Sequence, residues 1–179
     1  VKPARGGSSR GTSKVKSATE LEQAMQAAFT FDSKVMVEVA IVGSEIECAV
    51  LEIDGKVRAS IPGKVSIDPK YEFYDFEAKY LDGATDIIVP APIEKEILEK
   101  VQHAAIAAFQ ALGCSGLARV DFFVTHDGEI IINELNTMPG FTTTSVFPKM
   151  WAASGIKFTE VITHLLETAL TRTNGTLGN

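Results

Sequence analysis

Apolar positions change period several times along the chain, and each change marks an element. Leu21, Met25, Ala28 and Phe29 recur at helical spacing after Ser17-Ala-Thr-Glu20, which fits a capping box and predicts a helix start. Alternation then predicts strands over 34–42 and 46–53. Asp54-Gly55 is the dipeptide of a two-residue hairpin turn into a third strand over 56–61. Residues 62–91 hold proline, glycine, aspartate and aromatics without sustained period and read as a long functional loop. The clearest helix covers 93–112. Pro92 stands at its start, Ile93, Ile97, Val101, Ala104, Ala105 and Ala108 form one stripe, and Gly113 closes it. Strands over 117–125 and 129–135 flank Asp127-Gly128, and helices are predicted over 149–153 and 159–170. Antiparallel hairpins mixed with helices make the chain α+β.

The turn at Asp127-Gly128 fixes more than two strands. If it is the two-residue turn that Asp-Gly favours, His126 pairs with Glu129 and every other partner follows. Asp121 then stands opposite Glu134 and Arg119 opposite Asn136, and alternation puts all four on one sheet face. Two carboxylates directly opposite each other repel, and a cation between them removes the repulsion. With the amide oxygen of Asn136 nearby, the donors are few, hard and all oxygen, which suits Mg²⁺ that keeps water and phosphate ligands. The alternative is a solvated face with Arg119 as counter-ion, but Phe123 and Ile132 are expected on the same face and would hold it partly dry. A slip of one residue would remove the constellation.

Composition narrows the function. With 45% hydrophobic and 22% charged residues the chain is of ordinary globular kind, and no apolar run is long enough to span a bilayer. Cys48 and Cys114 are too few for a disulfide framework; no secretory signal opens the chain, and both are expected as buried thiols in a reducing, cytoplasmic compartment. A net charge of −6 argues against a general nucleic-acid binder. Its distribution says more. Residues 1–16 hold Lys2, Arg5, Arg10, Lys14 and Lys16 and no acid, whereas the rest carries 23 acids against 12 bases. Within that basic segment, Ala4-Arg5-Gly6-Gly7-Ser8-Ser9-Arg10-Gly11 could cradle a phosphate, with Lys2 as a point charge beside it. It is neither a Walker A loop nor a dinucleotide fingerprint, and alone it reads as a flexible surface loop. Residues 1–16 and 62–91 are both expected to take their order from bound phosphate, Mg²⁺ or a further domain.

Four blocks together resemble one family. They are Val1-Lys2-Pro3-Ala4-Arg5-Gly6-Gly7-Ser8-Ser9, Phe73-Tyr74-Asp75-Phe76-Glu77-Ala78-Lys79-Tyr80, Gly116-Leu117-Ala118-Arg119-Val120-Asp121 and Asn133-Glu134-Leu135-Asn136-Thr137-Met138-Pro139-Gly140. In order and spacing the chain resembles the D-alanine–D-alanine ligase family of the ATP-grasp superfamily, in which two α+β subdomains close on a nucleotide. The resemblance implies an ADP-forming ligase that joins two D-alanines through a D-alanyl phosphate, for peptidoglycan and so for cell-wall synthesis and cell shape. It implies ATP and Mg²⁺ as cofactors, Mn²⁺ being permitted, no nucleic-acid or membrane partner, and room for a homodimer. Residues 1–44 would be the remainder of the central subdomain and 45–179 the C-terminal subdomain, with the N-terminal domain absent.

The family's roles carry over position by position. Asp121, Glu134 and Asn136 would hold Mg²⁺, in agreement with the hairpin argument. Lys2 would touch phosphate, Glu38 the adenine amino group with the backbone of Val39 and Ile41, and Glu45 the ribose, while Phe73 and Phe123 would sandwich the base. Arg119 and the Gly140 amide would stabilise the oxyanion. Ser145 and Lys79 would hold the second D-alanine's carboxylate, and Ser8 and Tyr80 would orient substrate. Each has a plainer reading: core for the two phenylalanines, surface charge for Lys79, helix cap for Ser145. One departure is Glu38-Val39-Ala40, where many relatives have Glu-Lys; backbone contacts survive it. The alternative functions are an ATP-grasp ligase for another carboxylate/amine pair, or a non-catalytic nucleotide-binding fragment.

Overall fold

The computed structural model describes residues 1–7, 9–67, 85–142 and 145–172. It divides into two compact units, Val1–Ile41 with Ser66–Asp86, and Val42–Val65 with Ile87–Asn179.

In the first unit β1 (Lys2–Pro3) pairs antiparallel with β2 (Val35–Met36), and α1 (Ala18–Phe29) lies between them in sequence. The capping box does not close as expected. Glu20 accepts the backbone N–H of Lys16 at 2.9 Å, one residue before the N-cap Ser17, whose hydroxyl instead meets that of Thr19. The strand expected over 34–42 shrinks to Val35–Met36 because β1 supplies a ladder for only those residues. Beyond it Val37 and Val39 are exposed, the latter by 84%.

The second unit is built on one long central strand, β3 (Gly43–Ile53). It pairs antiparallel along Gly43 to Leu51 with β7 (Leu117–Thr125), which pairs in turn with β8 (Ile130–Asn136). On the other edge of β3 lie β4 (Lys56–Ala59) and β5 (Gly63–Ile67), with β6 (Thr85–Ile88) beyond β5. Asp54 and Gly55 take positive φ of 52° and 70°, the two-residue turn that their dipeptide favours. Between β4 and β5 the buried Ser60 replaces a ladder bond, accepting from Ala49 N–H at 3.0 Å. β5 and β6 fall inside the stretch expected to be one loop; Pro62-Gly63 and the short alternation hide them.

Alternation along β7 decides the layers. Ala118, Val120, Phe122 and Val124 are buried with Ile46, Cys48 and Val50 under α2 (Lys95–Ala111), which contributes Val101, Ala105 and Phe109. On the opposite face Ala49, Leu51 and Ile53 pack beneath α3 (Val146–Ala153) and α4 (Phe158–Thr171), with Phe147, Met150, Trp151 and Val161. β3 is thus covered on both sides, and burial pushes the Cys48 thiol up to about 12, leaving it protonated and inert. Cys114, expected buried, is only partly so. No helix among the described residues is long and apolar enough to cross a membrane.

Gly43 lets β3 approach β7 closely, since a Cβ there would lie 2.5 Å from the Val124 carbonyl oxygen. Gly43→Ala should therefore cost about 1–3 kcal/mol, because backbone must move to relieve the clash. Gly7→Ala meets nothing within 4 Å and should stay within about 0.5 kcal/mol. Chemical denaturation of both variants checks the contrast.

Candidate functional site

The face of the sheet that carries α3 and α4 at one end carries polar groups at the other. β3 contributes Glu45 and Glu47, β7 contributes Phe123, Asp121 and Arg119, and β8 contributes Ile131, Glu134 and Asn136. Register lines them into rows. Glu47, Asp121 and Glu134 stand side by side across three strands, and Ala49, Arg119 and Asn136 form the next row. Asp121 therefore has a carboxylate directly opposite on each side, an arrangement that repels unless cations intervene. The structure supplies one. Arg119 forks onto Asp121 with Nε to Oδ1 and Nη2 to Oδ2, both at 2.7 Å, and its Nε lies 3.5 Å from Oε2 of Glu47. Glu47 is almost fully buried, at 3% exposure, whereas Glu134 at the β8 edge is exposed.

The predicted pairs Asp121/Glu134 and Arg119/Asn136 are present, but the turn that was to produce them is different. Thr125 N–H donates to Glu129 O and Gly128 N–H to Thr125 O, so the loop has three residues, closed by Gly128 at φ +83°. That shifts the register by one, and a bulge at Asn133, between Ile132 and Glu134, shifts it back. Between turn and bulge the pairing differs from the expected one: Ile131, not Ile132, stands opposite Phe123, and Ile132 is half exposed opposite Phe122.

After β8 the chain turns at Asn136, whose Oδ1 accepts from Met138 N–H at 3.0 Å. The chain then brings Gly140 against Ser145; a Cβ on Gly140 would lie 3.0 Å from the Ser145 hydroxyl oxygen. That hydroxyl meets Thr142 Oγ1 at 2.8 Å and accepts from Thr142 N–H. Ser145 occupies the N-cap position of α3, yet its side chain makes no cap bond.

In the first unit Lys2 and Glu38 form an ion pair at 3.0 Å. Arg5 is not a loose cation of the glycine-rich stretch. Its backbone N–H, Nε and Nη2 all go to Asp32, which also accepts from Lys34 N–H. Gly11 takes φ +73° and packs where a Cβ would strike Phe31 and Pro3, and Ser13 N–H closes on Val1 O at 2.8 Å. The described part of 1–16 is therefore organised by contacts within its own unit, against the expectation that a ligand must order it.

The D-ala D-ala ligase C-terminus family model matches residues 1–167. The chain belongs to the D-alanine–D-alanine ligase family. It is 55% identical to the D-alanine--D-alanine ligase of Frankia casuarinae over 95% of this chain and 45% of that protein. With the Mycobacterium ulcerans ligase identity is 52%, over 96% of this chain and 47% of the other. Two solved structures carry the same fold: the D-alanine-D-alanine ligase from Coxiella burnetii (TM-score 0.81, 39% identity, 94% of this chain and 44% of that one) and the VanG D-Ala:D-Ser ligase from Enterococcus faecalis (TM-score 0.83, 40% identity, 93% and 48%). The chain spans slightly less than half of each. Its fold is α+β and that of an ATP-grasp ligase.

In this member of the family, Arg119, Asp121, Glu134, Asn136, Glu45 and Phe123 lie on one sheet face, with Gly140 and Ser145 together on the loop that follows. Lys2, Glu38, Val39 and Ile41 belong to the first unit, and 37–41 is not strand. Ser8, Phe73, Lys79 and Tyr80 lie outside the described residues. Glu47 escaped the sequence reading. It looks like one more polar residue in an alternating strand, and only the β3–β7 register shows that it faces Asp121.

Asp32 gives a pH test. The Arg5 guanidinium and the Lys34 and Arg5 amides hold its carboxyl well below the usual carboxylate range. A depressed folded value contributes stability above the unfolded pKa, near 3.9 (about) for aspartate, and that stability is lost as pH falls through the folded value. The wild type should melt above Asp32→Asn at neutral pH, with the gap closing progressively below about pH 4. Thermal melts of both proteins across that range check the sign.

Proposed function

We propose that this segment supplies nucleotide, metal and oxyanion groups to an ATP-dependent ligase that joins two D-alanines into D-alanyl-D-alanine for peptidoglycan synthesis in the cytoplasm. Residues 1–44 would belong to the central subdomain and 45–179 to the C-terminal one. The observation that carries this reading is the row Glu47–Asp121–Glu134 with Arg119 set against it. Three carboxylates and one guanidinium leave an excess of negative charge on a partly dry face. Each oxygen of Asp121 keeps a second lone pair beyond its bond to Arg119. Asp121, Glu134 and Asn136 therefore fit a hard divalent cation, Mg²⁺ or Mn²⁺. When bound, that ion would neutralise charge on the nucleotide phosphates.

The reaction divides into two displacements. The carboxylate of the first D-alanine takes the γ-phosphoryl group and ADP leaves. The amine of the second then attacks the acyl carbon, a C–N bond forms, the amine proton is lost and phosphate departs. Negative charge builds on the acyl oxygen in between. Arg119, held from the side by carboxylates, and the Gly140 N–H are assigned to that oxygen. Lys2 is assigned to phosphate, exchanging its bond to Glu38 for it. Glu38, the backbone of Val39 and Ile41, and Glu45 are assigned to the nucleoside, with Phe73 and Phe123 about the base. The exposed apolar Val37 and Val39 support a partner over that segment. Ser145 and Lys79 are assigned to the second amino acid's carboxylate, and Ser8 and Tyr80 to orienting substrate.

A second reading concerns the attacking amine. A D-Ala:D-Ser ligase shares this fold, so the same face could serve D-serine as second substrate. Competition among D-alanine, D-serine and D-lactate in a full-length ligase containing this segment separates the readings. In that protein Arg119→Ala should lower kcat by about 10²-fold or more with little change in the KM for ATP. An effect confined to that KM would place Arg119 on the ground-state nucleotide instead. The 179-residue chain alone should give no dipeptide from ATP and D-alanine; coupled ADP-release assays on both proteins decide it.

A further inference from the structure

We propose that Glu47 is a positioning residue that fixes Arg119 on the β3 side of Asp121 and so reserves the β8 side for the cation. The inference rests on the reading of Asp121 and Glu134 as cation ligands given above. Glu47 lies on the strand that is buried on both faces, directly opposite Asp121, with its side chain 4% exposed. A carboxylate so deeply buried is tolerated only against a positive partner, and the structure sets Arg119 there, 17% exposed, with Nε 3.5 Å from Glu47 Oε2. Arg119 and Asp121 are two apart on the same strand and fork together at 2.7 Å. That fork alone does not decide on which side of Asp121 the guanidinium lies. Glu134 stands opposite Asp121 on the other side and would also attract it. Glu47 breaks the symmetry. Being nearly inaccessible, it can hold an arginine edge but has little room for a hydrated ion, whereas exposed Glu134 can share one with Asp121.

The rows thus split into two charge pairs around one aspartate: guanidinium between Glu47 and Asp121, cation between Asp121 and Glu134. Removing the Glu47 charge should free Arg119 to lean toward Glu134 and compete with the cation. The test uses the 179-residue protein, with Mn²⁺ as probe read by its electron paramagnetic resonance, and the Arg119 Nε–H signal read by NMR. Glu47→Gln keeps the shape and removes the charge. It should weaken Mn²⁺ binding roughly tenfold, the order of effect seen when outer-sphere partners of a metal site are removed. It should also speed exchange of the Arg119 Nε–H with water. Glu47→Asp keeps the charge and should recover most of the Mn²⁺ affinity, a rescue that a purely structural role would not produce. If Glu134→Gln weakens Mn²⁺ binding but Glu47→Gln changes neither the affinity nor the arginine signal, the positioning role is overturned and the cation site stands. If Glu134→Gln leaves Mn²⁺ binding unchanged, the cation reading falls, and this proposal with it. Should Glu47→Gln fail to fold, Arg119→Lys, which keeps a cation but removes the fork, must weaken Mn²⁺ binding as well; unchanged affinity there overturns the proposal.

Discussion

The ladder between β3 and β7 is the constraint on which everything else hangs. Its register runs from Gly43 opposite Thr125 to Leu51 opposite Leu117. A slip of one residue would turn Ala118, Val120, Phe122 and Val124 out of the core and Arg119 and Asp121 into it. Burying those four side chains is worth several kcal/mol by area, and burying the Arg119–Asp121 pair in their place would add the desolvation cost of two charges. The same energetic preference that seals the sheet against α2 therefore aims the charged residues at the other face. Core and candidate site are two sides of one alternation.

That alternation is what made the central part of the chain legible. The Asp54-Gly55 turn, the long helix under the sheet and the β7 strand all have local signals that tertiary contacts reinforce. The pairing of Asp121 with Glu134 was also reached, but through two departures that cancel. Gly128 closes a three-residue loop rather than a two-residue one, and the bulge at Asn133 restores the register. Asn133 is a poor strand former, but one such residue inside an apolar run does not say where a bulge falls. Where the departures do not cancel, at Phe123, the expected neighbour was wrong. The strands 63–67 and 85–88 were missed for a related reason. Each is short, and its reason to be extended is a partner far away in sequence.

The basic segment shows the opposite failure, where charge counting overstates what is available to a ligand. Five cations without a local acid suggested an anion site, yet Arg5 is committed to Asp32 and Lys2 to Glu38 across the fold of the first unit. Each acid lies well downstream of its base, beyond any sequence window. A guanidinium held by two oxygens of a buried carboxylate, which also gathers two backbone amides, is a clamp on chain path. The ammonium of Lys2 differs. It makes a single-point contact with a half-exposed carboxylate, and a phosphate offering more charge could displace it.

Strand and loop also divide the chemistry that a ligase of this kind needs. The groups proposed on the strands (Arg119, Asp121 and Glu134, with Glu47 set against Arg119) would serve any phosphate-activated carboxylate, whichever amine attacks it. Rigid pairing suits them, because a donor aimed at developing charge loses its value if it can follow the ground state. Of the groups assigned to the attacking amino acid's carboxylate, Ser145 is the one among the described residues, and it lies on the connection between β8 and α3. Connections can change length and composition without disturbing the register that sets the strands. A structure named as a D-Ala:D-Ser ligase shares the fold, and a change of second substrate could be made at such a loop while the carboxylate row stays fixed. On the proposed assignments selectivity would be set after activation, by side chains the central sheet does not position.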